Sequence, residues 1–128
     1  MTTTTSIDAK ERALAAAEAA QSKKGQNVSI LDLTEQEAYA DYLVIVSTYS
    51  ERQCAAVADA VREQFKANFD ERPISASGQG VWVLIDYGDV VVHVFHEDAR
   101  AYYDLDRLWA KAPRLRVPAA EDLRVAHG

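Results

Sequence analysis

The chain has 128 residues, 48% of them hydrophobic, which suits one domain whose core needs no disulfide or metal. Its 14 Lys and Arg against 20 Asp and Glu give a net charge of −6, which argues against direct nucleic-acid binding and favours a basic partner. The chain has no apolar run of membrane-helix length, and residues 1–6 lack the features of a secretory signal. Its single cysteine, Cys54, allows no internal disulfide, so we expect a cytoplasmic protein without a membrane partner.

The first third of the chain predicts one helix and two strands. After a polar N-terminus at residues 1–6, which we expect to be flexible, residues 7–24 have the pattern of an Ala-rich helix that stops at Gly25. Its apolar stripe is thin, which indicates a helix on the surface or one packed closely against a sheet. Residues 28–33 predict a short strand, and the apolar run 42–46 is typical of a strand buried on both faces.

A second helix is predicted after residue 50, where Ser50 and Gln53 form a capping-box pattern. The helix has one apolar side at helical spacing, with charged residues turned outward. That side consists of Cys54, Val57, Ala58, Val61 and Phe65. Cys54 is therefore interpreted as a core thiol, since no cationic neighbour is evident that would make it reactive.

The remaining elements begin with a β-hairpin. Residues 73–76 predict a weak edge strand, and two β-branched runs at 81–86 and 89–95 flank a turn at Tyr87 and Gly88. The order of all elements predicts an α/β fold with a mixed sheet of about five strands flanked by helices.

Two short helical segments follow the hairpin. Residues 97–103 carry acidic residues in the first turn, where the helix dipole favours them. Asp104 can cap a further turn that carries Leu105, Leu108 and Trp109. Residues 113–128 predict a disordered C-terminal tail.

Side chains alternate along a strand, so the predicted hairpin has two faces. One face is aliphatic and is the natural core side. The other mixes aromatic, imidazole and carboxylate groups, and we call it the mixed face; it consists of Trp82, Leu84, Asp86, Asp89, Val91, His93 and Phe95. Two aspartates at the turn favour a basic partner, and Trp with peripheral charge is typical of an interface. Ordinary turn chemistry, with the aromatic residues covered by residues 102–109, is an equally open interpretation.

Several catalytic and metal sites are disfavoured by the sequence. His93 and His96 are three apart on a strand and point to opposite faces, and the helical zinc motif is absent. A nucleotidyltransferase is the best enzyme alternative, but the turn after the strand at 42–46 lacks the glycine that phosphate binding needs. Residues 77–80 lack the third glycine of a dinucleotide loop. We expect no catalytic residue, no metal and no cofactor.

Taken together, four segments resemble the ribosomal silencing factor family, also called RsfS or iojap-like. They are the run 40–47, the capping box 50–53, the hairpin 82–95, and Arg100, Tyr103, Leu105, Leu108 and Trp109. The resemblance implies a nucleotidyltransferase-like scaffold without catalytic residues. It also implies binding to large-subunit ribosomal protein fourteen, a block on the joining of the two ribosomal subunits that represses translation, and a possible homodimer. Thr48 and Tyr49 depart from the Gly-Thr usual in relatives.

On this basis residues 7–112 form the silencing-factor-like domain, between the flexible residues 1–6 and the tail at 113–128. By matching positions, the expected partner-binding residues are Trp82, Asp86, Tyr87, Asp89, His93, Glu97, Arg100, Tyr103 and Trp109. The alternatives are a nucleotide-binding or nucleotidyltransferase-type enzyme, or a large-subunit assembly factor with another partner.

Overall fold

The structure, a computed structural model, describes residues 4–118 of the chain. Residues 1–3 of the predicted flexible N-terminus and residues 119–128 of the predicted tail lie outside the described residues. The elements in chain order are α1 (Thr4–Ser22), β1 (Gln26–Asp32), β2 (Tyr42–Thr48), α2 (Glu51–Phe69), β3 (Ser75–Ser77), β4 (Trp82–Asp86), β5 (Val90–His96), α3 (Glu97–Tyr103), α4 (Leu105–Leu108) and β6 (Arg114–Leu115).

The strands form one mixed sheet in the order β3-β4-β5-β2-β1-β6. β2 and β5 pair in parallel at the centre, and the other neighbours pair antiparallel. Every residue of β2 is buried, as its uninterrupted apolar run predicts for a central strand covered on both faces. The mixed α/β class predicted from the sequence is confirmed, with six strands rather than about five.

The long helices α1 and α2 cover one face of the sheet. The buried side of α2 is the predicted set from Cys54 to Phe65, and α1 contributes alanines such as Ala13 and Ala16, both fully buried. Small side chains let α1 lie close to the sheet and to α2, which confirms close packing for this thin stripe. The same closeness constrains Gly25 after α1, where an added Cβ would lie 2.7 Å from Val46 Cγ1.

The predicted capping box at α2 forms in a modified way. Ser50 Oγ accepts a hydrogen bond from the backbone N–H of Gln53 at 3.0 Å, as predicted. The Gln53 side chain instead accepts from the Tyr49 N–H at 2.7 Å and donates to the carbonyls of Lys23 and Lys24. Gln53 therefore joins the start of α2 to the end of α1.

The opposite face of the sheet is covered by shorter segments. Its core includes Leu43, Ile45 and Phe95, with Leu105 and Trp109 packed against it from the α4 region. No helix among the described residues combines the length and apolar character that membrane crossing requires.

The structure extends the sheet beyond the domain boundary expected at residue 112. β6 pairs with β1 through Ile30 with Leu115 and Leu31 with Arg114, and Asp32 N–H donates to the carbonyl of Pro113 at 2.8 Å. The sheet edge at β1 offers free backbone groups that the segment after residue 112 can pair with, a long-range contact that composition does not reveal. The described part of the predicted tail therefore carries a short strand.

Candidate interaction site

The hairpin has the register that its loop length predicts. Trp82 pairs with Phe95, Leu84 with His93, and Asp86 with Val91, so the two predicted faces exist for the paired residues. The turn closes with Tyr87 N–H donating to the Val90 carbonyl at 2.9 Å.

The turn also separates its two aspartates. Gly88 in the turn has a φ of 91°, a conformation that favours glycine, and its N–H donates to Asp86 Oδ1 at 2.7 Å. Asp86 and Asp89 are not opposite one another, since Asp86 pairs with Val91. Asp86 therefore has the ordinary turn role that was left open for it.

The mixed face of the hairpin is covered rather than open. Trp82, His93, Phe95 and Tyr103 form an aromatic cluster, with the Trp82 ring centroid 4.5 Å from that of Tyr103 and 4.8 Å from that of Phe95. Phe95 is fully buried and Trp82 is partly buried. The expectation that this face presents Trp82 and His93 outward is corrected, because α3 and α4 fold back over it.

His93 is buried in this cluster, with 3% exposure. Its Nδ1 accepts a hydrogen bond from the indole Nε1–H of Trp82 at 3.0 Å, which places the ring proton on Nε2. The buried Nε2 has no hydrogen-bond partner among the described residues. Burial lowers the pKa of His93 to about 4, so the ring is neutral near pH 7. His93 can support the surface above it but does not itself reach a partner.

Tyr87 is buried on the opposite, helix-covered side of the sheet. Its ring stacks on that of Phe65 with centroids 4.0 Å apart, and burial raises the pKa of Tyr87 to about 12. A side chain with 4% exposure packs in the core, so the expectation of partner contact by Tyr87 is also corrected.

Asp89 is held by an arginine of α1. The Arg12 guanidinium pairs with Asp89 at 2.6 Å and with Glu71 at 2.8 Å, using two hydrogen bonds to each carboxylate. Burial disfavours the charged guanidinium, but the hydrogen bonds and charges of Asp89 and Glu71 outweigh it and raise the pKa of Arg12. Asp89 lies in the turn before β5, where the alternation of side chains along a strand does not apply. Its side chain therefore points to α1 rather than to the mixed face.

Arg100 braces α3 against the sheet. It donates to Ser47 Oγ at 3.0 Å, to Ser29 Oγ at 3.1 Å and to the carbonyl of Asn27. It also forms two hydrogen bonds of 3.1 Å with the carboxylate of Asp106. Burial would raise the pKa of Asp106, but hydrogen bonds and charges from Arg100 and Arg114 outweigh it and lower the pKa. The role found for Arg100 is to fix the position of α3 and α4.

The remaining predicted residues lie near the covering segment. Glu97 is exposed in the first turn of α3, Trp109 is partly buried against the core below α4, and Tyr103 is 48% exposed above Trp82. His93 and His96 serve different elements, since His96 Nδ1 accepts from the N–H of Asp98 at the start of α3. Among the described residues, no group of three or more His, Cys, Asp and Glu side chains is placed to hold a metal ion.

Two exposed residues beside this cluster were not predicted. Tyr102 is 82% exposed and Leu108 is 69% exposed. Their chain neighbours pack inward, Tyr103 against Trp82 and Trp109 against the core. The spacing of Leu105, Leu108 and Trp109 is also that of a buried helix face, so the sequence carried no signal for the exposure of Leu108. We call the outward side of these two helices the α3–α4 surface; it consists of Glu97, Asp98, Tyr102, Tyr103, Asp104, Arg107 and Leu108.

The comparisons with known proteins agree with one another. The family model described as "Ribosomal silencing factor during starvation" matches residues 6–127. Ribosomal silencing factor RsfS of Bacillus subtilis is 38% identical over 99 residues, covering 77% of this chain and 84% of that protein. The protein of the same name from Halalkalibacterium halodurans is 39% identical over 103 residues, covering 80% of this chain and 88% of that protein.

Two solved structures share the fold. A crystal structure of a protein from Chromobacterium violaceum has a TM-score of 0.75 at 32% identity, covering 89% of this chain and 97% of that chain. A crystal structure from Bacillus halodurans has a TM-score of 0.69 at 36% identity, covering 80% of this chain and 94% of that chain. With a family model spanning residues 6–127 and relatives 38% and 39% identical, this chain belongs to the ribosomal silencing factor family.

Proposed function

We propose that this chain binds large-subunit ribosomal protein fourteen and sterically blocks the joining of the two ribosomal subunits, which represses translation. Membership of the silencing-factor family supports the ribosome as the target. The net charge of −6 suits a basic ribosomal protein, because opposite charges raise the rate of encounter.

The observation that carries the proposal is the exposure of large apolar side chains on the α3–α4 surface. Tyr102, Tyr103 and Leu108 are 82%, 48% and 69% exposed and lie on two consecutive short helices. Exposed aromatic residues on one surface mark interaction sites, and tyrosine is among the residues that contribute most to interfaces. The carboxylates of Glu97, Asp98 and Asp104 lie on the same two helices and their junction, as a rim that a basic partner would complement.

The mechanism needs binding but no reaction. A folded domain seated on the face of one subunit occupies space that the other subunit must enter. The partly buried Trp82 packs beneath Tyr103 and is itself held by the buried His93, and Arg100 fixes the helices that carry the contact residues. These residues would act on binding through the shape of the surface rather than by touching the partner.

The test is co-sedimentation of purified chain with purified large subunits, followed by a subunit-joining assay after small subunits are added. The wild-type chain is expected to co-sediment and to lower the fraction of joined ribosomes. Tyr102→Ala and Leu108→Ala should each weaken binding about tenfold or more, as the loss of an interface anchor does. Both side chains are largely exposed, so the variants should fold normally.

Tyr39→Ala is the matched control, because Tyr39 is 63% exposed at the end of the sheet near Asp86. It should bind like wild type. Loss of binding with Tyr39→Ala but not with Tyr102→Ala would move the contact to the hairpin turn and reject the α3–α4 surface. A wild-type chain that binds large subunits without lowering subunit joining would reject the steric mechanism.

A further inference from the structure

A groove runs along one side of the α3–α4 surface, between the first turns of α2 and α3. Its lining includes Glu51, Val81, His96, Asp98, Tyr102 and Tyr103. Val81 is 44% exposed in the groove although it is aliphatic. The groove therefore combines apolar contact area with two carboxylates.

The charged groups of the groove favour a cation. The helix dipoles of α2 and α3 would together place about one positive charge at their N-termini, and those charges favour an anion. Glu51 and Asp98 carry two full negative charges in the same first turns, which outweighs them. Since Ser50 and His96 accept the capping hydrogen bonds, neither carboxylate is used as a cap. The Asp98 side chain is 92% exposed, and its carboxylate lies 3.9 Å from His96 Nδ1.

The two tyrosine side chains of the groove favour arginine over lysine as the cation. The rings of Tyr102 and Tyr103 are 5.0 Å apart at 87°, so the two rings present a face and an edge to one another. The planar guanidinium of arginine stacks on an aromatic face and pairs with carboxylates in a fork, whereas the ammonium of lysine does neither as well. A nucleic acid fits poorly, because its phosphates would face Glu51 and Asp98.

We propose that this groove accepts an arginine side chain from a basic protein partner, with the guanidinium against Tyr102 and paired with Asp98 and Glu51. The inference rests on the proposed function in one respect, since the partner that presents this arginine is the ribosomal protein bound at the adjoining α3–α4 surface. It assigns a role to Glu51 and Val81, which lie outside the two short helices.

The first experiment tests the groove without the ribosome. The full chain labelled with ¹⁵N is titrated with the tripeptide Gly-Arg-Gly and, separately, with Gly-citrulline-Gly, which has nearly the same shape but no charge. The arginine peptide should shift the amide signals of Val81, Asp98 and Tyr102, and the citrulline peptide should not. Equal shifts with both peptides, or shifts spread over the whole chain, would overturn the proposal.

The second experiment uses variants of the groove with purified large subunits. Asp98→Asn and Glu51→Gln should each weaken binding about threefold to tenfold, a typical loss for a charged contact beside an aromatic ring. Glu35→Gln removes an exposed carboxylate from the connection between β1 and β2, and it should bind like wild type. Equal weakening by all three would indicate a general charge effect and contradict a specific groove.

The two proposals can fail separately. If the arginine peptide maps to the groove but the chain does not bind large subunits, the proposed function is wrong and the groove assignment stands. If large subunits bind and depend on Tyr102 but not on Asp98 or Glu51, the groove assignment is wrong. A short RNA that shifts the groove signals more than the arginine peptide does would also overturn it.

Discussion

His93 carries an imidazole whose charge state links the stability of the fold to pH. In the unfolded chain a histidine titrates near pH 6.5, whereas burial lowers the pKa of His93 to about 4 in the fold. Between these values the unfolded chain binds a proton that the folded chain does not, so the free energy of unfolding falls as the pH falls through this window.

The expected loss from His93 between pH 7 and pH 5 is about 2 kcal/mol. Urea unfolding at the two pH values measures it. His93→Gln keeps an acceptor for the indole N–H of Trp82 but cannot titrate, so this variant should lose less stability over the same interval. An unchanged pH dependence in His93→Gln would show that another group titrates in this range.

Arg12 is the second residue whose substitution should clearly lower the free energy of unfolding. Arg12→Met leaves Asp89 and Glu71 partly buried without their cation, and the expected loss is about 2 kcal/mol of unfolding free energy. Arg62→Met is the control, since the pair of Arg62 and Asp59 is exposed and should contribute about 0.5 kcal/mol or less. Thermal or urea unfolding compares them, and similar losses in both variants would contradict a buried ion cluster.

At the scale of elements, α3 and α4 depend on the single side chain of Arg100. Arg100→Lys cannot reproduce the fork to Asp106 together with the bonds to Ser29 and Ser47. The amides of α3 and α4 should exchange hydrogen about tenfold faster or more in this variant, as loss of a charged hydrogen bond allows local opening.

The amides of the central strands β2 and β5 report on global stability in the same exchange experiment. In Arg100→Lys, their hydrogen-exchange rates should change far less than those of the α3 and α4 amides. Arg107→Lys, at an exposed position of α4, should leave both groups of amides near their wild-type rates. Equal acceleration of the helices and the central strands would mean that Arg100 stabilises the whole fold rather than its covering segment.

At the scale of the whole molecule, the negative charge should govern how fast the partner is found. The net charge of −6 predicts that association with large subunits slows as salt rises, because screening shortens the range of attraction. Asp98→Lys combined with Asp104→Lys should associate more slowly and with weaker salt dependence. Stopped-flow or biosensor kinetics at two salt concentrations measure this, and an association rate indifferent to salt would contradict electrostatic steering.

The sequence by itself determined the parts of the fold that depend on local periodicity. The apolar run of β2, the stripe from Cys54 to Phe65 and the Ser50 cap follow from spacing and side-chain chemistry alone. The hairpin register follows from an even loop length and from the alternation of side chains. The family resemblance rests on these same segments, which is why the class of the fold could be predicted.

Only the tertiary structure decided which residues face solvent. The mixed face of the hairpin would be a surface if nothing covered it, but Arg100 holds α3 and α4 over it, through contacts with Ser47, about fifty residues earlier in the chain. That covering buries His93 and turns Tyr102 and Leu108 outward. In the same way, the ion pair with Arg12 holds the Asp89 carboxylate against α1. Burial is a property of long-range packing, and periodicity within one element specifies a face without specifying what lies against it.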